Sequence, residues 1–494
     1  GASLALGVGE APTSSEATSP TKAGGRARRA PEARAPRGPK APAHGRIHHV
    51  SIGPRARIAI AAIFFTYVLA IRTWDITSTF LMLGDQVRDW TVALGSWREL
   101  PLAGPPSLAG GRTLGPIFYW LLWLGRVIAG PFTDNLPHTG GIVVALLQSA
   151  GDTLLLWVSM TRLPLALALA VSLLVVSAPF DLGLSAVIWN PPVAAALAKV
   201  AMVLVLTLGN EPRPWRLAIT AAVGWLALQA HSTGAFVAVP ILAALVAMPL
   251  MQRQWRRALQ VTGIVATVVL ALQVPYFAAQ WRDTSTPLAP TVVIDSFTQA
   301  SSLNVVKSFS AVADTTGDLL VRQWGEWTFR LPTLAAIVIV LLRWRRDLPL
   351  LAVSVGSLLT AVALFATWTR PYDSYWFLTL TTSMAVTHAL CVAALPWPRV
   401  VQGAGWVLLA VVLALQPTRI AQSKLTFKYP EYRAMLIGSR SLAAQAPVLR
   451  DIRVTFAVHP SMDKYFIYKI LGGRMDRNAP HTAFIEADGR VRIE

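Results

Sequence analysis

From residue 56 to residue 416 the chain repeats one pattern, an apolar run, a short polar break and another apolar run. The first run is ARIAIAAIFFTYVLAIRTW (56–74). Others lie near 114–130, 140–160, 163–178, 191–208, 215–231, 233–250, 258–278, 331–343, 348–367, 374–395 and 401–416. A helix rises about 1.5 Å per residue, so roughly 20 apolar residues cross a hydrocarbon core about 30 Å thick. A soluble chain of 494 residues with 54% hydrophobic residues and a mean hydropathy of +0.50 would have nowhere to hide that surface. The pattern predicts an all-α polytopic membrane protein with about 11–13 transmembrane helices and interfacial helices in the first outer loop. A small α/β appendage is expected at the C-terminus.

The formal net charge of +19 raises the question of nucleic acid, and the placement of the charge answers it. Lys and Arg sit in the N-terminal tail and in short loops, QRQWRR (252–257) and RWRRD (343–347). Short basic loops mark the cytoplasmic side of a membrane protein, whereas a nucleic-acid surface needs a basic face on a soluble domain. The expected partners therefore include membrane lipids and no nucleic acid. The basic loops place 75–113, the turn near 231–234, residues 279–330 and the loop 368–374 on the outer side. Crossings counted from the first run then disagree by one with those counted back from 252–257, so one run between 114 and 208 is re-entrant or interfacial, or is wrongly divided. The single cysteine, Cys391, excludes an intrachain disulfide and reads as a small core residue.

Three regions follow. Residues 1–50 are Ala-, Pro-, Gly-, Ser- and Arg-rich without periodicity, which predicts a disordered basic cytoplasmic tail near anionic headgroups. Residues 51–416 form the transmembrane domain, with outer loops 75–113 and 279–330. Residues 417–494 read as a small soluble α/β region: a strand at 452–458, a helix at 461–473 ended by glycines, and a hairpin around Asp488-Gly489.

Within the first outer loop, LMLGDQVRDW (81–90) puts Asp85, Arg88 and Asp89 within five positions. DQVRDWTVALGSWREL (85–100) reads as an amphipathic helix lying along the interface. Two readings of Asp85 stand together. Its side chain can cap the helix starting near 86, or, partly desolvated at the bilayer surface, it can take a proton from a substrate hydroxyl. Arg88 is one turn from Asp85 and can pair with it, orient it or bind phosphate, and Asp89 is the alternative base.

Taken with LGPIFYWLLWL (114–124), AVIWNPPVAAAL (186–197), LQAHSTGAFVAVP (228–240) and TRPYDSYWFLTL (369–380), this segment resembles the GT-C membrane glycosyltransferases. The likeness is to the bacterial branch of aminoarabinose transferases and protein O-mannosyltransferases, and it covers about 75–400. That branch carries paired acids in the first outer loop, where this chain has Asp85-Gln86, and a Tyr where this chain has Asp89. The His-Pro-Pro of that branch is reduced here to Gly115-Pro116-Ile117.

The resemblance implies an inverting transfer of a sugar from a polyprenyl-phosphate carrier to an acceptor hydroxyl on a glycan, lipid or protein. Asp85 is then the catalytic base. Arg88, Asp89, Asn190, His231, Arg370, Tyr372 and Tyr375 are the candidate substrate-binding residues, with Arg370 suited to the phosphate because a guanidinium binds it in bidentate fashion. The lipid-linked sugar enters as donor substrate, and no further cofactor is called for. No HExxH, calcium-loop, P-loop or GxSxG pattern occurs, so no metal site is expected. The site is expected to face the periplasm or cell exterior from the inner (plasma) membrane. Arg370 and the tyrosines also fit as interfacial anchors, Asn190 as a helix cap, and His231 as a polar residue satisfied by Ser232 and Thr233. The alternative activity is a transporter or flippase of a lipid-linked glycan, which would place ionisable residues inside its spans. Most charges here lie in loops and at span ends.

Overall fold

The computed structural model describes residues 53–106, 111–209, 211–282, 304–321, 328–368, 371–445, 452–456, 466–474 and 478–494. The N-terminal tail, Arg370 and much of 279–330 lie outside the described residues. In chain order the helices are α1 (Pro54–Thr73), α2 (Gly84–Leu94), α3 (Ile117–Ala129), α4 (Pro137–Arg162), α5 (Leu165–Val176) and α6 (Pro179–Leu184). Then come α7 (Asn190–Leu206), α8 (Pro214–Ala230), α9 (Ala235–Met251), α10 (Trp255–Arg282), α11 (Val305–Val321) and α12 (Arg330–Trp344). The series ends with α13 (Leu348–Phe365), α14 (Leu380–Ala393), α15 (Pro398–Thr426) and α16 (Pro430–Gln445). Proline opens many of them, in the first turn of α1, α4, α6, α7, α8 and α15, where its missing N–H costs nothing.

Every apolar run is helical. Among the described residues, six helices are long and apolar enough to cross a membrane: α1, α4, Ser232–Met251 (which contains α9), α10, α13 and α15. The chain is thus a multi-pass inner-membrane protein with an all-α core. In α4, 61% of the apolar window is buried inside the protein, against 17% in α1 and α10, so α4 is central and the other two are peripheral. The outer faces of the peripheral helices carry Ile63, Leu259, Leu270 and Trp281, apolar side chains that lipid solvates and water does not.

Hydrogen bonds and ion pairs sort the helix ends into two groups. At one end Arg162 pairs with Asp347 at 2.9 Å and donates to the Leu206 carbonyl, and Arg257 reaches Glu211 at 3.9 Å, so the basic loops gather there. At the opposite end Asn190 meets Ala230, Thr379 meets Thr233, and Lys424 donates to the Trp74 carbonyl. Helix α3 begins and ends at that second end. Gln273 donates to the Leu114 carbonyl just before it, and Trp90 of α2 donates to the Asn135 carbonyl just after it. Arg126 lashes it to the Ala93 and Gly95 carbonyls along α2. The apolar run 114–130 is therefore the one that does not pass through the bundle, and removing it resolves the miscount of crossings. The other eleven runs are helical as well.

Helix α15 continues past residue 417 to Thr426, and α16 follows it into the C-terminal region. There β1 (Ile452–Phe456) pairs parallel with β2 (His481–Ile485), and β2 pairs antiparallel with β3 (Val491–Ile493). The hairpin turns at Gly489, whose φ of +85° suits a residue without Cβ. This region docks on the first outer loop. Tyr429 N–H donates to the Ser78 carbonyl, Arg433 donates to Ser78 Oγ, and the Tyr432 ring packs on Phe80 with its hydroxyl beside His138. The C-terminal region therefore shares its end of the bundle with Asp85.

Candidate functional site

Helix α2 is amphipathic with Gln86, Asp89, Trp90 and Ala93 buried, a spacing that sets them on one face. Asp85 and Thr91 stand exposed on the other. The helix starts at Gly84, two residues before the expected position, and Gln86 Oε1 accepts the Leu83 N–H at 2.9 Å. Gln86 thus performs the capping assigned to Asp85 on sequence grounds, and Asp85 sits inside the first turn with its carboxylate free of backbone duty. The helix also stops earlier than the pattern suggested. It ends at Leu94, and only a 3-10 turn, Trp97–Glu99, follows Gly95.

Arg88 joins the two acids. Its Nη1 lies 2.7 Å from Asp85 Oδ1 and its Nε 2.7 Å from Asp89 Oδ1. Asp85 is 59% exposed and Asp89 only 1%. Asp89 Oδ1 also accepts the Tyr119 hydroxyl at 3.0 Å, while its Oδ2 is buried without a hydrogen-bond partner. Burial pushes the Asp89 carboxyl above the ordinary 3.8, against the pull of Arg88 and Tyr119. Asp89 therefore points into the protein and anchors Arg88, whereas Asp85 is the carboxylate a substrate can reach.

Three further segments gather at the same end. Trp90 of α2 and Ile188 meet at Gly140, where a Cβ would come 2.6 Å from the tryptophan ring and 2.7 Å from Ile188. Next to it, a Cβ on Gly141 would strike the Ala186 carbonyl. The two glycines let α4 accept both α2 and the turn 186–190. From that turn Trp189 packs on Tyr375 with tilted rings, centroids 4.6 Å apart, and His231 meets Tyr375 edge-on at 5.9 Å. Burial pushes the Tyr375 phenol above its ordinary 10.0, a hydrogen bond with Trp376 opposes this, and the negative charges of Asp373 and Asp85 add to the rise.

His231 Nδ1 accepts the Thr233 N–H at 3.3 Å and lies 2.8 Å from the Thr233 hydroxyl. A backbone amide can only donate, so the neutral ring carries its proton on Nε2. Burial pushes this imidazole down to about 4, which keeps it uncharged at neutral pH.

Asn190 is the first residue of α7 rather than its cap; Trp189 holds the cap position. The Asn190 Nδ2 donates to the Ala230 carbonyl at 3.1 Å and so ties the start of α7 to the end of α8. Tyr372 turns away from the cluster to pack on Phe365 at 5.0 Å, its buried hydroxyl without a partner. Arg370 is outside the described residues. Among the candidates, then, Asp85, Arg88, Asn190, His231 and Tyr375 gather at one end, Asp89 supports them from beneath, and Tyr372 belongs to the neighbouring core. Among the described residues, no group of three or more His, Cys, Asp or Glu is placed to hold a metal ion.

One set of charges lies apart from the loops and the site. Deep in the bundle Arg72 Nη2 lies 2.7 Å from Asp152 and 2.8 Å from Asp181, and Lys199 Nζ lies 2.7 Å from Asp152 and 4.0 Å from Asp181. All four are at most 2% exposed. Gln148 accepts from Lys199 and donates to the Pro192 carbonyl. Ionisable residues do therefore lie inside the helices. Asp152 and Lys199 each interrupt an apolar run, the signal that could have revealed them. Trp189 and Tyr119 carried no such mark, because Trp and Tyr near span ends are ordinary anchors.

The fold and the end-on cluster define a polytopic helical membrane protein, and its fold is shared with solved structures of a membrane protein. The chain superposes on the apo structure of ArnT from Cupriavidus metallidurans with a TM-score of 0.53 and 13% identity, covering 87% of this chain and 93% of that one. The same protein bound to undecaprenyl phosphate gives 0.51 and 13%, with 87% and 92% covered. Arabinosyltransferase EmbB from Mycobacterium smegmatis matches at a TM-score of 0.42 and 16% identity over 78% of this chain and 40% of that one, too weakly to carry an argument. At such identities the likeness concerns the fold. No protein-family model and no curated protein matches the chain.

Proposed function

We propose that this protein is a membrane glycosyltransferase that moves a sugar from a polyprenyl-phosphate carrier to an acceptor hydroxyl on the outer side of the membrane. The observation that carries the reading is the state of Asp85, an exposed carboxylate held at 2.7 Å by Arg88 at the end of the bundle that also carries Tyr375 and His231. The fold shared with ArnT, one of whose structures holds undecaprenyl phosphate, supports the choice of carrier. In this mechanism Asp85 takes the proton of the acceptor hydroxyl as its oxygen attacks the anomeric carbon. The bond from that carbon to the carrier phosphate breaks, its electron pair leaves with the polyprenyl phosphate, and the centre inverts. Arg88 orients Asp85 and offers positive charge to the leaving phosphate, a task Arg370 shares. His231 offers its Nε2–H, and Tyr375 its hydroxyl, to the donor headgroup.

The test is Asp85→Asn in membranes supplied with polyprenyl-phosphate sugars. Loss of a general base costs about 10²–10⁴-fold in transfer rate, so normal transfer by a folded variant would sink the mechanism. A transporter or flippase of a lipid-linked glycan is the second reading, favoured by the buried Arg72–Asp152–Asp181–Lys199 cluster. Reconstituted liposomes separate the two: a flippase moves a labelled lipid-linked glycan across the bilayer without an acceptor, and a transferase requires one.

A further inference from the structure

The aromatic residues at the Asp85 end of the bundle are not needed by proton transfer, and their arrangement is unlike that of bilayer anchors. An anchor needs a ring turned to the headgroups. Trp189 instead lies against Tyr375 with centroids 4.6 Å apart and planes tilted by 48°, and Tyr375 in turn meets His231 and Trp376 at 5.9 and 6.0 Å. The backbone holds this ring in place. Trp189 is extended (φ −150°, ψ 148°) at the cap of α7, and the next residue, Asn190, is bonded to Ala230. Yet Trp189 is only partly buried, and its Nε1 makes no hydrogen bond among the described residues. A half-open indole whose N–H has no partner among the described residues offers a surface suited to a partner with both an apolar face and hydroxyls.

We propose that Trp189 and Tyr375 form a stacking subsite for the sugar ring of a lipid-linked donor, at the same end of the bundle as the Asp85 carboxylate. The inference rests on the glycosyl-transfer reading and adds to it the group that recognises the sugar. A pyranose or furanose ring presents C–H bonds on one face, and their weakly positive hydrogens suit the negative face of an aromatic ring. The hydroxyls at its rim can accept from the indole Nε1–H. A sugar seated there lies within reach of the edge where His231 carries its Nε2–H, which fits a carbohydrate better than an acyl chain, since an acyl chain has no use for either donor.

The experiment titrates the full-length protein in lipid nanodiscs with undecaprenyl phosphate and with its mannosyl, glucosyl and arabinosyl derivatives. In the wild type at least one sugar-bearing lipid should bind more tightly than the bare phosphate. Trp189→Leu should weaken that lipid about tenfold, as expected for the loss of one aromatic contact of roughly 1.4 kcal/mol. Binding of undecaprenyl phosphate itself should not change, and Trp189→Phe should recover most of the loss. Equal weakening of both lipids in Trp189→Leu would make the residue a structural prop and overturn the proposal. Unchanged binding of both, or a wild type that prefers no sugar-bearing lipid, would also overturn it. A wild type that binds neither kind of lipid would defeat the glycosyl-transfer reading along with the subsite.

Discussion

Two arginines in this protein each bridge two aspartates, and they do so to opposite ends. Arg72 joins Asp152 and Asp181, Lys199 supplies a second positive charge, and the four side chains form a neutral set sealed inside the bundle. Arg88 joins Asp85 and Asp89, no second cation among the described residues is paired with them, and one of the two carboxylates is 59% exposed. In the first set every charge is spent on its neighbour, so the set locks α1, α4, α6 and α7 together. In the second, an excess negative charge is left open at the end of the bundle that carries Tyr375. The same pairing chemistry is a lock when balanced and buried, and leaves an accessible carboxylate when unbalanced and open.

The largest expected effect breaks the lock. Arg72→Met leaves two buried carboxylates with one cation, and stripping a partner from a buried pair costs about 3–5 kcal/mol. The variant should lose most of its monodisperse yield in detergent. Removing opposite charges together, as in Asp152→Asn with Lys199→Met, should restore much of the thermal midpoint; equal damage by the double change would show that charge balance is not what matters there. Asp89→Asn should act at the next scale, about 1–3 kcal/mol, because it degrades the acceptor of both Arg88 and Tyr119 inside the protein.

The two titrating groups near the site have opposite signs. The folded-state value of Asp89 lies above the 3.8 of an unfolded chain, so between those values the folded form holds a proton that the unfolded form has lost. This group therefore adds stability as pH falls through that window, and Asp89→Asn should abolish that slope in thermal midpoints measured against pH. For His231 the folded value is about 4 against an ordinary 6.5, so the unfolded chain binds the proton first. Its contribution is intact above 6.5 and falls away as pH drops toward 4, and His231→Gln should flatten that acid limb. The smallest effect is the most telling for the comparison. Asp85→Asn touches an exposed pair, so its midpoint should move by less than about 1 kcal/mol of stability, even as transfer collapses. A variant that unfolds would place Asp85 with the lock.

Much of the architecture was legible in the chain because bilayer crossing is a property of local composition. All the apolar runs became helices at the expected places, and proline marked several of their starts. Asp85, Arg88, His231 and Tyr375 were also visible as polar residues at run ends, although nothing in their spacing said that they meet. The errors were of a different kind. Gln86 took the cap expected of Asp85 because it sits where its side chain can turn back to the Leu83 N–H. Tyr372 and Tyr375, three residues apart, went to different surroundings: Tyr375 lies in the 3-10 turn Ser374–Phe377 and Tyr372 precedes it.

What the amino-acid order determined by itself was the class of molecule and its helices, since a run of apolar side chains finds its lowest free energy in hydrocarbon whatever its neighbours do. Only the tertiary structure decided which run stays outside the bundle, because α3 is held at both ends by bonds to Gln273 and Trp90 from distant segments. It also decided which charges cancel. Arg72, Asp152, Asp181 and Lys199 are scattered along the sequence, and a buried charge is tolerable only beside its partner, so the lock exists only once four helices have packed.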